Sequence, residues 1–130
     1  MADPGNTIVR DELITRIRPG IKREWRLVDT QRVVDRVNRI TLVVRQSRIE
    51  KDPANPARSR RAFFELVLAS PLDATGAAEL ELDDELVDFL SAIDSAKNVV
   101  WDTATKGIWS DAIPAPCYVI TCWITYTKGP

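Results

Sequence analysis

The chain opens on a four-residue period. Val9, Leu13 and Ile17 recur at every fourth position, the spacing that lines up one face of an α-helix. Asn6 or Thr7 can cap it, because a side-chain oxygen there accepts a bond from an otherwise unpaired backbone N–H. Asp11 and Glu12 then fall in the first turn, where the helix dipole favours acid, and Pro19-Gly20 stops the helix. Trp25-Arg26-Leu27-Val28 reads as a short strand, whereas Asp29–Asn38 has no period and reads as loop. The pattern then switches to period two. Ile40, Leu42 and Val44 alternate with Thr41, Val43 and Arg45 in a strand that ends near Ile49. From Arg61 to Ala69 the alternation resumes, with Phe64, Leu66 and Leu68 on one face and Phe63, Glu65 and Val67 on the other. Residues 51–60 between them hold Pro53 and Pro56, which cannot donate to a strand ladder. The unit reads as a long β-hairpin with a basic tip loop over 51–60.

Ser70-Pro71-Leu72-Asp73 ends the hairpin and can cap the strongest helix in the chain, residues 74–95. Leu82, Leu86, Phe89, Leu90 and Ile93 form its apolar stripe, and Glu79, Glu81, Asp83, Asp84, Glu85, Asp88 and Asp94 make the rest acidic. Lys97-Asn98 turns the chain into a short strand, Val99-Val100-Trp101; Thr103–Pro114, with Gly107 and Trp109, reads as loop. Pro116 opens a last strand running through Thr127. Tyr118, Ile120, Cys122, Ile124 and Tyr126 share one face; Cys117, Val119, Thr121, Trp123 and Thr125 share the other. A strand apolar on both sides sits centrally in a sheet or against another subunit. The order predicts an α+β fold: an antiparallel β-sheet with a long β-hairpin, packed on one side by two α-helices. One domain over 1–130 is expected, with 1–6 as a flexible N-terminus and Trp25 and Trp101 in the core.

Composition narrows this picture. With 130 residues, 45 % of them apolar and 28 % charged, the chain fits one ordinary globular domain. No apolar run approaches the roughly 20 residues a membrane-spanning helix needs. Met1–Asn6 has no basic segment leading into an apolar one, so no secretory leader is expected. Cys117 and Cys122 lie on opposite faces of one strand, roughly 16 Å apart at ~3.3 Å per residue. A disulfide needs Cα atoms about 4.4–6.8 Å apart, so both read as packing thiols in a reducing compartment.

Charge changes it further. Residues 1–61 carry 15 of the 18 basic side chains and 8 of the 19 acidic ones, a formal +7. Residues 62–130 carry 3 bases and 11 acids, a formal −8. Two opposed patches on one small surface can attract each other across copies. A contact of patch A on patch B closes into a ring where the rotation allows. The plainer reading is two solvated faces that differ in sign.

Candidate chemistry is sparse. There is no histidine, the usual general base, and no GxSxG, P-loop or GxGxxG. Without histidine or a CxxC pair a zinc site is not expected. Asp83-Asp84-Glu85-Leu86-Val87-Asp88 could be imagined holding a metal, but only Asp84 and Asp88 share a helix face; a solvated or partner-facing surface fits better. No enzymatic activity, cofactor or metal is expected.

The order and spacing of the pieces resemble the tail terminator proteins of long-tailed (siphovirus) phages that infect actinobacteria. The pieces are Arg10-Asp11-Glu12-Leu13-Ile14, the strand Ile40–Glu50, a Phe-rich strand ending in Ser70-Pro71, the acidic helix Leu82–Leu90, Val100–Lys106, and Pro116–Thr121. The likeness runs from about Arg10 to Thr127, departing at Val33–Asn38, Trp109 and Trp123. It implies a virion structural protein that forms a ring, hexameric in the family, on the head-proximal end of the tail tube. The ring stops tube polymerisation and offers the surface that docks to the filled head. Implied partners are further copies of itself, the tail tube protein and a head-completion or connector protein, with DNA passing through the lumen without sequence-specific binding. Implied location is the neck region of the virion tail, and host cytoplasm before assembly. Within the class the alternative is a head-completion or neck connector protein; outside it, a DNA-binding accessory protein using the basic hairpin.

Residues rather than resemblance single out the expected interface. Arg45, Arg48, Arg58, Arg60 and Arg61 stud the hairpin, and arginine, at 13 against 5 lysines, suits bidentate pairing with carboxylates. Asp83, Asp84, Glu85 and Asp88 of a neighbouring copy are the expected counterpart. Trp109, in a segment where nothing local forces burial, is a candidate docking anchor.

Overall fold

The computed structural model describes residues 4–28, 37–72 and 75–127, with side chains from Val9 onward. Its elements are α1 (Pro4–Ile17), a single 3-10 turn (Arg18–Gly20), β1 (Arg26–Val28), β2 (Thr41–Lys51), β3 (Ser59–Ala69), α2 (Ala77–Ser95), β4 (Val99–Ile108) and β5 (Pro116–Thr127). The five strands form one sheet in the order β1-β2-β3-β5-β4. This is the expected α+β fold, with one difference in the sheet. β1 runs parallel to β2, while the other three pairings are antiparallel, so the sheet is mixed. A parallel neighbour needs a connection of about a dozen residues or more, and residues 29–40 supply that length.

Both helices bury their apolar stripes against the same face of the sheet. Val9, Leu13, Ile14 and Ile17 of α1 and Leu82, Leu86, Phe89 and Ile93 of α2 join Leu42, Phe64, Leu66, Leu68, Ile120 and Ile124 in one core. Burying a side chain such as Phe64 or Phe89, each 1 % exposed, contributes about 1.5–3 kcal/mol. Trp25 is buried and meets Phe89 edge-on at 5.6 Å. Trp101 is half-buried and donates its Nε1–H to Asp94 at 2.8 Å. A smaller cluster, Val28, Val43, Val67, Ala69 and Cys117 with Trp109 and Val119 against it, sits on the sheet's other face. The two thiols therefore do lie on opposite faces, and both are free.

Several boundaries differ from expectation, each for a local reason. α1 begins at Pro4 rather than beside Asn6 or Thr7, which moves Asp11 and Glu12 out of the first turn. The expected flexible segment 1–6 overlaps residues 1–3, and the loop over Asp29–Asn38 overlaps residues 29–36; both stretches lie outside the described residues, as does the Asp73 cap. α2 starts at Ala77, after Gly76 in the left-handed conformation (φ 75°), with the Thr75 hydroxyl accepting the Ala77 N–H at 3.2 Å. The expected tip loop over 51–60 shrinks, because Lys51, Ser59 and Arg60 continue the ladder. What remains is tied down: Asp52 N–H bonds Ser59 O, Ser59 N–H bonds Asn55 O at 2.9 Å, and the Asp52 carboxylate accepts the Ala54 N–H.

The largest correction is β4. Val99-Val100-Trp101 continues through Ile108, so much of the segment read as loop is an edge strand paired with β5. A bulge hid it. Trp101 pairs with Cys122 and Thr103 with Thr121, leaving Asp102 extra and breaking the alternation. β5 lies between β3 and β4, the central place its two apolar faces imply.

Candidate functional site

With both helices on one side, no further helix or strand among the described residues covers the sheet's other face, which carries the small cluster around Val43 and Val67. Cross-strand register sets what it displays. Phe63 pairs with Trp123, and Val100 pairs with Trp123 from the far side, while Arg48 pairs with Phe63. A second row runs Arg45, Glu65, Thr121, Thr103; a third runs Glu50, Arg61, Thr125. The Phe63 and Trp123 rings lie 5.7 Å apart at 35°. The Arg48 guanidinium stacks 3.9 Å above Phe63 and donates to Glu50 at 2.8 Å. Arg61 lies 5.8 Å from the Trp123 ring, so a planar cation flanks each aromatic, a favourable arrangement with the ring quadrupole.

Two bulges shape this face. The β2–β3 register slips between Gln46 and Arg48, leaving Ser47 extra; the β4 slip leaves Asp102 extra. Both adjoin the row through Phe64 and Cys122, one on each side of the central pair β3–β5. Bulges sharpen local twist and re-aim side chains. Between them lies a shallow cavity of about 460 Å³ floored by Phe63, Trp123, Thr103 and Thr121 and rimmed by Arg48 and Asp102. Thr121 shares hydroxyl contacts with Thr103, at 2.9 Å, and with Asp102.

The acidic helix is on the opposite side of the molecule, and part of its charge is already paired. Lys22 reaches Glu85 at 2.6 Å and Asp88 at 3.9 Å. Lys106 reaches Glu79 at 2.9 Å and Asp83 at 3.1 Å, and the Tyr118 hydroxyl donates to Asp83 at 2.7 Å. The Tyr118 bond, then Lys106, hold the Asp83 carboxyl below the usual carboxylate range. Hydrogen bonds to Glu79 and Asp83 raise Lys106, and that to Glu85 raises Lys22. α2 contains no basic residue.

The structure separates the expected site residues into two groups. Arg45 and Arg48 are exposed on the open face and Arg61 is half-buried there; Arg45 stands 5.8 Å over Trp109. Arg61 approaches Asp52 only to 3.9 Å, and its Nε is buried without a hydrogen bond. Arg58 is exposed in the tip and Arg60 on β3 opposite Lys51. Asp83, Glu85 and Asp88 are engaged within the chain as above, whereas Asp84 is exposed with no ion pair among the described residues. Trp109 is half-buried against the smaller cluster, so much of its ring is already covered. No hairpin arginine meets an α2 carboxylate within the chain among the described residues.

Sequence reasoning did not assign a role to Phe63, Trp123, Leu80 or Val87. Phe63 and Trp123 were readable as large aromatics at the non-core parity of two strands, which is the one signal that marks an open face. Leu80 and Val87, 68 % and 63 % exposed, lie outside the helix's core stripe. Among the described residues no group of His, Cys, Asp or Glu side chains is placed to hold a metal, and no helix is long and apolar enough to cross a membrane.

No protein-family model matches the chain, and no curated protein matches it significantly. Function therefore rests on the surface itself: an aromatic sheet face on which arginines and acids alternate on one side, and a base-free acidic helix on the other.

Proposed function

We propose that this chain is a tail terminator subunit, a virion structural protein without enzymatic activity. Copies assemble into a ring, a hexamer by family resemblance, on the head-proximal end of a phage tail tube. The ring stops tube growth and presents the surface to which a head-completion protein docks, with DNA passing through its lumen. The observation that supports this reading most is that Arg45, Arg48 and Arg61 stand on the sheet face opposite the one that α2 and its carboxylates cover. These three arginines and the α2 carboxylates cannot meet inside a chain because the sheet stands between them. Their complementarity is met between copies, and a contact between different faces propagates head-to-tail rather than closing as a twofold pair.

The test is the length of tails. Tails assembled without this protein become overlong or ragged under negative stain and fail to join heads; added purified protein restores uniform capped ends. Normal tails in its absence would remove the assignment. Native mass spectrometry with and without tubes then reads the copy number of the ring.

A further inference from the structure

Three unabsorbed features stand out: the cavity between the bulges, the exposed apolar positions on α2, and a second, smaller cleft of about 230 Å³ lined by Glu24, Trp25, Arg39 and Glu81. The first two fit each other. On the outward side of α2, Leu80, Asp84, Val87 and Ser91 follow one another at helical spacing, all exposed. Leu80 and Val87 lie two turns apart, about 10 Å along the axis, with Asp84 between them and Asp88 on the flank. The open sheet face has the reciprocal pattern: the apolar Phe63, Trp123 and Val100, the last 44 % exposed, with Arg45, Arg48 and Arg61 around them.

Resting on the ring reading, we infer that the junction between copies is made by the outward stripe of α2 seated on the open sheet face of the next copy. Leu80 and Val87 cover the Phe63–Trp123–Val100 row, and Asp84 faces the arginines beside it. Apolar groups thereby meet apolar groups, and Asp84, which is exposed with no ion pair among the described residues, meets cations. Arg58, in the tip, and Arg60, on the helix side of β3, lie outside this contact.

Size sets its strength. α2 has 19 residues, a length of about 28 Å, so a footprint roughly 10 Å wide covers about 280 Å². A stable specific pair buries about 800 Å² per partner. The helix alone is well short of that, so free copies associate weakly and the junction closes when copies are held side by side on a template. A nucleic acid is the less fitting occupant of the same face, because Glu50, Glu65 and Asp102 stand among the arginines and offset their charge.

Cysteine trapping tests the inference. The native thiols are buried, so Val87→Cys and Val100→Cys, both at exposed positions, add the accessible ones. A chain carrying both, treated with a short bismaleimide at high concentration, gives a ladder of dimers, trimers and larger species on a denaturing gel. Each single variant gives little product, because the two sites come from different faces. Adding Asp84→Arg to the double variant cuts the ladder about tenfold, the cost of one reversed charge pair at a junction, and Arg48→Glu in the same chain restores it.

A ladder no stronger than that of a control pair, Val87→Cys with Arg58→Cys, overturns the inference. So does strong dimerisation of Val87→Cys alone, which would mean helix on helix. Saturable binding of a single-stranded oligonucleotide, lost with Trp123→Ala, would reassign the face to nucleic acid. If tails are capped while the ladder is absent, the ring stands and this junction fails. If the ladder forms while tails stay uncapped, the junction stands and the tail assignment fails.

Discussion

Gly20 is the position where a single methyl group should matter most. It closes the 3-10 turn after α1, and a Cβ built there would lie 2.6 Å from the Cβ of Ala92 and 3.1 Å from Phe89. Ala92 belongs to α2 and its Cβ is fixed by the helix backbone, so it cannot swing aside. Carbon atoms prefer about 3.5–4.0 Å; Gly20→Ala therefore requires the turn and α2 to part by about 1 Å. Positive φ is not the constraint, since Gly20 is not among the positive-φ glycines. Overpacking of this kind costs about 1–3 kcal/mol, offset by about 0.4–1 kcal/mol from the stiffer unfolded chain. The net loss is up to about 2.6 kcal/mol.

At ~2.1 cal/mol/K of unfolding entropy per residue, a chain of this size loses about 4 °C per kcal/mol, so Tm should fall by up to about 10 °C. Differential scanning calorimetry reads it. A double-mutant cycle isolates the contact. Ala92→Gly alone costs about 1 kcal/mol of helix propensity, yet Gly20→Ala with Ala92→Gly should be less destabilised than the two changes summed, because the second removes the atom the first strikes. A rise in Tm for Gly20→Ala, or additive losses across the cycle, would refute the close approach of turn and helix. The separation would also be felt by Lys22, two residues on, whose bond to Glu85 crosses the same gap.

The remaining predictions concern titration. Burial, with Asp102 a smaller influence, pushes the Cys122 thiol up to about 12, and burial raises Cys117 as well; a colourimetric thiol reagent at pH 8 should label neither until the chain is unfolded, and rapid native labelling of either would contradict their packing. Asp83 is held below its ordinary value by Tyr118 and Lys106, so its contribution is fully present above the unfolded carboxylate range near pH 4. That contribution is lost as pH falls through the lowered folded value. Asp83→Asn should leave an unfolding curve flatter between pH 5 and about 2 than that of the parent, and an unchanged slope would show that Asp83 does not couple to folding.

Most of the fold was legible because its signals are local. The period-four stripe of α1, the acidic amphipathic α2 and the alternation in β2, β3 and β5 each appear within a dozen residues, and each element formed where its pattern lay. Pro19-Gly20 was readable as a helix stop, though the close approach to Ala92 that Gly20 permits was not, since it depends on an element seventy residues away. β4 was half missed because it is an edge strand whose residues beyond Trp101 are largely polar or exposed. β1 was found, but its parallel direction was not, as three residues carry no mark of orientation.

The candidate site was harder to read for a reason that two residues explain. In an unbroken strand, Arg45 and Arg48 would point to opposite faces, and Arg48 would lie under the helices. Ser47, bulged out of the ladder, reverses the parity, so that Arg48 and Glu50 join Arg45 on the open face while Ile49 turns with Ala62 toward the other. Asp102 does the same on β4: past it, Thr103 rather than Ala104 shares the open face with Thr121. A parity count along the sequence therefore assigns the residues past each bulge to the wrong side, and Arg48 drops out of the cluster with Phe63, Trp123 and Val100. Charge segregation was visible from composition because it survives any change of parity. Phe63 and Trp123 pair across the unbroken β3–β5 register, so the apolar centre survives as well; the bulges decide instead which side chains, Arg48, Glu50 and Thr103, stand around it.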